Sequence, residues 1–243
     1  MEAFRLLDLT LPRPVENLAL DEVLLEELDE RGGAPMLRFW ESDRLFVVLG
    51  RGSRVGDEVD VPACERDGVP ILRRASGGGT VLQGPGCLSY AIVVPYRLYS
   101  ELRTIRTTNQ FVLERIAAAL QRWEPTTTFQ GTSDLAVGNL KISGNAQRRA
   151  GNALLFHGTI LHSMSADLVA QYLKHPSRQP DYRLDRPHRM FLGTITAPPQ
   201  AIKQAIASAW NAVPLEHGWP ISRMPHAIAA VLARSRDEPS SAS

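Results

Sequence analysis

The 243 residues carry 27 lysines and arginines against 26 aspartates and glutamates, with 44% hydrophobic and 22% charged residues. That length and apolar content suit one domain with its own core and exclude a disordered or fibrous chain. A formal net charge of +1 excludes a long-range field that would make nucleic acid or an anionic membrane the main partner, so any phosphate binding must be local.

The opening "FRLLDLTL" reads as a strand; its charges and proline lack the basic-then-apolar build of a secretion signal. "VENLALDEVLLEELDERGG" predicts a helix with Leu20, Leu24 and Leu28 on one face and Gly32-Gly33 as its stop. Two strands, "MLRFWE" and "RLFVVLGR", follow, then a short helix around "VPACERDG" that ends at Gly68. From Val69 to Pro95 the pattern is strand, glycine loop, strand, "QGPG" turn and strand, a sheet region. Ile105, Val112, Ile116 and Leu120 mark a helix between Thr104 and Trp123.

After Pro125, "TTTFQ", "DLAV", "LKISGNAQRR" and "ALLFHGTILHS" read as strands, two of the junctions being Gly138-Asn139 and Gly151-Asn152 turns. Consecutive hairpins predict a largely antiparallel sheet. A short helix near "SADLVAQYL" leads into "KHPSRQPDYRLDRPHRM", too rich in proline and charge for regular structure. A final helix, "PQAIKQAIASAWNAV", uses Ile202, Ile206 and Trp210, and the ending "RSRDEPSSAS" reads as disordered. The expectation is one α+β domain over residues 1–232, an α/β sandwich of mixed, largely antiparallel sheets flanked by helices, with a tail at 233–243. No apolar run approaches the roughly 20 residues that cross a bilayer. Cys64 and Cys87, the only cysteines, form neither a disulfide framework nor a zinc site. A reducing, cytoplasmic location is expected.

Two segments carry chemistry. In "RRASGGGTV", three glycines without Cβ atoms allow close approach of backbone amides to a ligand, beside Arg73 and Arg74. A wide hairpin loop with two solvated arginines explains the spacing equally well. The β-branched "TVLQ" that follows excludes a phosphate-binding loop that opens a helix. In "GNLKISGNAQ", strand alternation sets Lys141 and Ser143 opposite Leu140 and Ile142. A lone strand lysine is ordinarily solvated, but the small residues Ser143, Gly144, Asn145 and Ala146 leave room for a ligand beside the ammonium. A compact charge there suits an oxygen that gains negative charge during acyl transfer.

Four ordered motifs resemble the lipoate-protein ligase A family, within the wider biotin/lipoate ligase and octanoyltransferase superfamily. "RRASGGGTV" is similar to its "RRxSGGGxV", "KISGNAQRR" to "KxSGxAxR", "FHGTIL" to "HGTLL", and Leu49 to Arg51 to its upstream "IGR". The resemblance spans about Met36 to Leu161. It implies the class II synthetase and biotin-ligase type of fold and a pocket for an acyl-adenylate. Carried over, Lys141 contacts the acyl carbonyl and α-phosphate as a carrier lysine attacks. Arg73 or Arg74, with Ser76, Gly77, Gly78, Gly79, Thr80 and Val81, cradles the phosphate and acyl chain. Ser143, Gly144, Ala146, His157 and Gly158 line the same pocket, with His157 structural or supporting rather than a base. Asp134 faces Mg²⁺ when ATP is used; alone it reads as a turn aspartate.

The implied cofactors are lipoate with ATP, or lipoyl-AMP, and Mg²⁺. The implied partner is a lipoyl carrier domain, of the 2-oxoacid dehydrogenase E2 or glycine cleavage H type, and no nucleic acid or membrane is expected. The proline-rich arginines are either a solvated face or a docking surface for an acidic carrier. Cys87 stands where many ligases have an asparagine near the nucleotide. The chain ends where many ligases continue into an accessory domain, which admits a separate accessory subunit. Two alternatives stay open: a thioester-forming octanoyltransferase, for which Cys87 at a strand start and Cys64 on a helix are poorly placed, and a noncatalytic lipoyl-adenylate-binding subunit.

Overall fold

The computed structural model describes residues 2–176, 178–216 and 218–236. Its elements, in chain order, are β1 (Phe4–Asp8), α1 (Pro14–Arg31), β2 (Met36–Trp40), β3 (Phe46–Leu49), α2 (Val55–Glu58), α3 (Val61–Asp67), β4 (Ile71–Arg73), β5 (Val81–Gln83), β6 (Cys87–Pro95), α4 (Ile105–Leu120), β7 (Thr127–Gln130), β8 (Asp134–Val137), β9 (Leu140–Arg149), β10 (Ala153–Leu161), α5 (Ala166–Tyr172), α6 (His188–Phe191), α7 (Pro199–Ala209), β11 (Ala212–Pro214) and α8 (Met224–Arg236). Eight strands form one mixed sheet in the order β11-β1-β2-β6-β10-β9-β8-β7, and β4-β3-β5 form a second, smaller one. Only β1, with both its neighbours, and β3 with β4 pair in parallel. The expected α+β sandwich with a largely antiparallel sheet is what the chain builds.

The central strand β6 is buried along its whole length. Leu88, Tyr90, Ile92 and Val94 pack on one side with α4 and α7, through Val112, Ile116, Ile202 and Ile206. Ala91 and Val93 pack on the other side with α1 and α8, through Leu20, Leu24 and Val231. A mostly apolar strand is therefore required, Ser89 being its one polar interruption: the strand has no solvent face on which polar residues could alternate. Helix α1 starts at Pro14, where a missing N–H costs nothing, and stops at Gly32 with φ +69°. Beneath it the guanidinium of Arg38, fully buried, bonds the Asp21 carboxylate, Asn17 Oδ1 and the carbonyls of Asn17 and Leu9. This network ties α1 to β2.

Four expectations change. The sheet region between Val69 and Pro95 divides, β4 and β5 joining the small sheet and β6 the large one. The corner between them needs Gly86, at φ +89°, because a Cβ there would collide with the backbone of Ser163 and Met164. The helix expected to run through "WNAV" ends at Ala209; Asn211 turns with φ +49°, and Ala212–Pro214 pairs with β1 instead. That helix is also not the last. Helix α8 follows, carries Pro225 in its first turn, and seats Ala227 and Val231 among the leucines of α1. It continues to Arg236, so residues 233–236 of the expected tail are helical. Residues 237–243 lie outside the described residues. The proline-rich tract, expected to be irregular, holds a 3-10 turn at Asp181–Arg183 and the short helix α6. Among the described residues no helix is long and apolar enough to cross a membrane.

Candidate active site

Between the two sheets and the proline-rich tract lies a cavity of about 430 Å³, within the size range of small-molecule sites. Its first wall is the glycine loop after β4, and the two arginines before it part ways. Arg73 turns inward and away: its guanidinium donates to the carbonyls of Gly50 (3.1 Å), Ser53 (2.6 Å) and Arg234 (3.0 Å). Its backbone N–H donates to Ser235 Oγ on α8. Arg73 does not line the cavity; it fastens the last helix to the base of the loop.

Arg74, equally buried, does line it. Its guanidinium donates to Ser76 Oγ and to the carbonyls of Gly77, Gly79 and Val48, so the loop is wound around one cation. Burial lowers its pKa to about 10. Two glycines are required by this winding. Gly78 has φ +89°, and a Cβ on Gly50 would overlap the Gly78 carbonyl oxygen. Around Gly77 and Gly79 a Cβ would meet nothing within 4 Å.

Ser76 accepts from Arg74 Nε and shares a hydrogen bond with His157 Nε2, 2.6 Å away. Burial, with Arg74 nearby, holds the His157 pKa down at about 3, so the imidazole is neutral at physiological pH and is no base in waiting.

The opposite wall is β9, and it departs from the simple alternation expected of it. A bulge shifts the register: Leu135 faces Ser143, but Ala136 faces Lys141. The extra residue reverses which side of the strand each side chain takes beyond it. Ser143, expected beside Lys141, instead bonds Asn145, whose Oδ1 accepts from Tyr90 OH. Leu140, expected on the same face as Ile142, is exposed, whereas Ile142 is buried. Lys141 itself is carried onto the cavity side with Gly144 and Ala146. Its Nζ lies 2.9 Å from Asp134 Oδ1, whose other oxygen accepts from Tyr182 OH at 2.9 Å. Gly144 leaves the space the ammonium uses: a Cβ there would sit 3.2 Å from Nζ. Gly158 does the same for Asn145, whose side chain a Cβ would overlap.

Of the residues singled out from the sequence, the cavity thus gathers Arg74, Gly78, Gly79, Thr80, Val81, Asp134, Lys141, Gly144, Ala146, His157 and Gly158. Arg73, Ser76, Gly77 and Ser143 lie outside its lining. Sequence reading missed Gln83, Ser89, Asn145 and Arg183, all of which line it, and also Tyr182. Asn145 stands inside a quoted motif; Tyr182 and Arg183 sit in the tract whose arginines read as either a solvated face or a carrier-docking surface, not as cavity lining. Neither cysteine lines the cavity. Both are buried, and burial pushes the Cys87 thiol up to about 12 and the Cys64 thiol above its ordinary value.

A model of the lipoyl protein ligase A/B catalytic domain matches residues 13–190. The chain belongs to this family. One member, the octanoyltransferase LipM of Carboxydothermus hydrogenoformans, is 32% identical over 200 residues, 76% of this chain and 74% of its own length. A candidate lipoate-protein ligase A of Aeropyrum pernix is 32% identical over 183 residues, 75% of this chain but 63% of its own length. The chain therefore spans less than two thirds of that ligase. Among solved structures, a chain from an archaeal lipoylation system of Thermoplasma acidophilum, comprising a bipartite lipoate protein ligase and its E2 lipoyl domain, superposes with a TM-score of 0.79 at 21% identity. It covers 96% of this chain and 93% of that one. A lipoate-protein ligase A bound with ATP superposes at 0.78 and 22% identity, covering 98% and 97%. At these identities the two likenesses establish that the family's fold is shared.

Proposed function

We propose that this family member transfers a lipoyl group from lipoyl-AMP to a lysine of a lipoyl carrier domain. The observation that carries the reading is electrostatic. Arg74 and Arg183 are both buried and line the cavity, and among the described residues neither makes a salt bridge: Glu58 acts on Arg74, and Asp185 and Asp134 on Arg183, without direct pairing. Buried cations so weakly countered favour a bound anion. The phosphate of an adenylate supplies one. The open space beside Gly79, which lines the cavity, fits a ligand lying against the loop.

In this reading Lys141 donates from Nζ to the acyl carbonyl oxygen and the α-phosphate, where negative charge builds as the carrier amine attacks. The new amide C–N bond forms as the carbon–oxygen bond to AMP breaks, and the amine's proton passes to solvent. Asp134 and Tyr182 hold the ammonium in place, and Arg74 holds the loop. Lipoate and ATP fit the same charge logic. Magnesium fits only in company: one carboxylate already engaged by Lys141 and Tyr182 is no ion site by itself, and among the described residues no group of three or more potential ligands exists. The ion would need the nucleotide's own phosphate oxygens.

The LipM relative supports octanoyl as a second cargo, but the positions of Cys64 and Cys87 do not support a thioester route. The bipartite neighbour supports a companion subunit for the activation step. Mass spectrometry of a purified lipoyl carrier domain tests these readings, with the protein supplied with lipoate and ATP, with lipoyl-AMP, or with octanoyl-carrier protein. Mass gain from lipoyl-AMP is expected. Gain from lipoate and ATP as well marks a complete ligase, and gain from octanoyl-carrier protein alone overturns the adenylate route. No gain in any arm marks a binding subunit.

A further inference from the structure

The tract "PDYRLDRPHR" that runs into α6 supplies Tyr182 and Arg183 to the site, and it carries one more group with no task in the transfer. His188, the first residue of α6, is half-buried and lines the cavity together with Lys141, Arg183 and Leu192. The backbone ties this histidine to the lysine. The N–H of Leu192 donates to the His188 carbonyl at 2.9 Å, closing the turn of α6, while Leu192 bridges Lys141 in parallel and the N–H of Gly193 donates to the Lys141 carbonyl at 2.9 Å. One helical turn of roughly 6 Å and one strand spacing of roughly 5 Å therefore keep the two Cα atoms within about 11 Å of each other. Arg186 adds a second tie, donating to the carbonyls of Asn139, Tyr182 and Met190 and so joining the tract to the turn just before Lys141. Two side chains that start this close and enter the same cavity flank one small volume.

The two ring nitrogens of His188 differ. Nε2 lies 3.0 Å from the carbonyl oxygen of Lys174. A carbonyl only accepts, so Nε2 carries a proton. Burial lowers the pKa of the ring, the Lys174 carbonyl opposes that, and the charges of Arg183, His175 and Lys141 lower it again, to a net value below the ordinary one. At neutral pH the ring therefore holds that single proton. Nδ1 keeps its lone pair, and among the described residues no hydrogen bond occupies it.

We propose that His188 is the general base of the transfer, its Nδ1 taking a proton from the carrier amine as that nitrogen bonds to the acyl carbon held at Lys141. The inference rests on the adenylate-transfer reading and names the group through which the amine's proton reaches solvent. The carrier lysine attacks as the free amine, having left its ammonium proton in solvent. Formation of the C–N bond makes the nitrogen cationic with two hydrogens. Nδ1 accepts one of them, the carbon–oxygen bond breaks with its electron pair going to AMP, and the neutral amide remains. An imidazolium beside Arg183 and Lys141 is a poor resting state, so the ring gives its extra proton to solvent and is ready for the next turnover.

The test is single-turnover transfer from lipoyl-AMP to the carrier domain, followed by mass, beside calorimetric binding of lipoyl-sulfamoyl-adenosine, a mimic that cannot react. His188→Gln keeps an N–H for the Lys174 carbonyl but has no basic lone pair; its transfer rate should fall about 10²-fold while affinity for the mimic stays within about twofold. His188→Ala should be as slow, and imidazole added to the buffer should speed it in step with the unprotonated form, an effect that a merely structural histidine does not produce. A rate for His188→Gln within about threefold of the unaltered protein overturns the proposal, as does a parallel loss of mimic affinity or an alanine variant that imidazole leaves unmoved. Nitrogen NMR of the unaltered protein decides even if neither variant folds: a proton on Nε2 supports the proposal, and a proton on Nδ1 overturns it. In all of these cases the unaltered protein still transfers and the adenylate reading stands. An unaltered protein that neither transfers from lipoyl-AMP nor binds the mimic removes both.

Discussion

On the glycine-loop wall every contact of Arg74 runs to a neighbouring carbonyl or hydroxyl of its own loop and of β3, and the cation is sealed behind them. On the β9 wall the charged groups instead reach across strands to one another, Lys141 to Asp134 and Tyr182 to Asp134, and the lysine side chain keeps 24% of its surface. The first wall is a fixed mould whose charge cannot move. The second holds its charge by two side-chain contacts that a ligand oxygen could share or replace. The difference separates a residue that shapes the site from one that answers to what enters it, although the two carry the same sign.

Lys141→Ala breaks the second wall and should have the largest effect. Carrier modification from lipoyl-AMP should fall about 10²- to 10³-fold, the scale of losing one donor to a developing oxyanion. Thermal stability should fall modestly, because Asp134 is buried and keeps Tyr182 as its hydrogen-bond donor once the lysine is gone. Retained transfer would reduce the lysine to a partner for Asp134. Arg74→Met breaks the first wall in the opposite sense. It strands the carbonyls of Gly77 and Gly79 and the Ser76 hydroxyl, and should cost about 2–3 kcal/mol of stability in a denaturant titration, with several buried bonds lost together. An unchanged midpoint would mean that the loop holds its shape without its cation.

The same contrast explains what the sequence could disclose. The glycine loop is local: charge, missing Cβ atoms and strand signals all fall within nine residues, so its place in a site was legible, although which arginine serves it was not. Arg73 and Arg74 look alike until α8 arrives to occupy one of them, and α8 comes from the far end of the chain, with a proline in its first turn. The lysine was legible as a candidate, yet its orientation rested on an alternation that one bulged residue reverses. Bulges leave no mark in periodicity unless a glycine announces them. Tyr182, Arg183, Gln83 and Ser89 are site residues only through tertiary contact, and no local pattern distinguishes them from ordinary loop and strand positions.

His157 sharpens the comparison through pH, since it joins the first wall by way of Ser76. Its folded pKa, about 3, lies below the ordinary value of 6.5. The unfolded chain therefore takes up a proton that the folded chain refuses. The stability this histidine confers is complete above pH 6.5 and is lost as pH falls towards 3, at up to about 1.4 kcal/mol per pH unit. Denaturant titrations of the protein and of His157→Gln at pH 7, 6, 5 and 4 should converge as the pH drops. Parallel curves would mean that the imidazole is reached by water and titrates normally. Across pH 6–8 the transfer rate should show no inflection that His157→Gln removes.

The smallest effect belongs to Tyr182→Phe. The phenol donates to Asp134 Oδ2 while Asp134 Oδ1 holds Lys141, and burial followed by the Asp134 charge drives the Tyr182 pKa well above its ordinary value, so the donor stays protonated at any working pH. Removing the hydroxyl leaves the ring packed on Phe191 and frees one carboxylate oxygen. Asp134 can then swing, and the ammonium it holds is placed less consistently. One neutral hydrogen bond to a charged acceptor is worth about 1.5–3 kcal/mol; because Tyr182 acts at one remove from the reacting atoms, only part of that should appear in transfer, a loss of about tenfold or less. The split between constants identifies the mechanism. If Tyr182 positions Lys141, kcat for the carrier domain falls while affinity for the adenylate mimic holds. If it contacts the ligand directly, the affinity falls with kcat, and the β9 wall would have to be redrawn with Tyr182 facing the substrate.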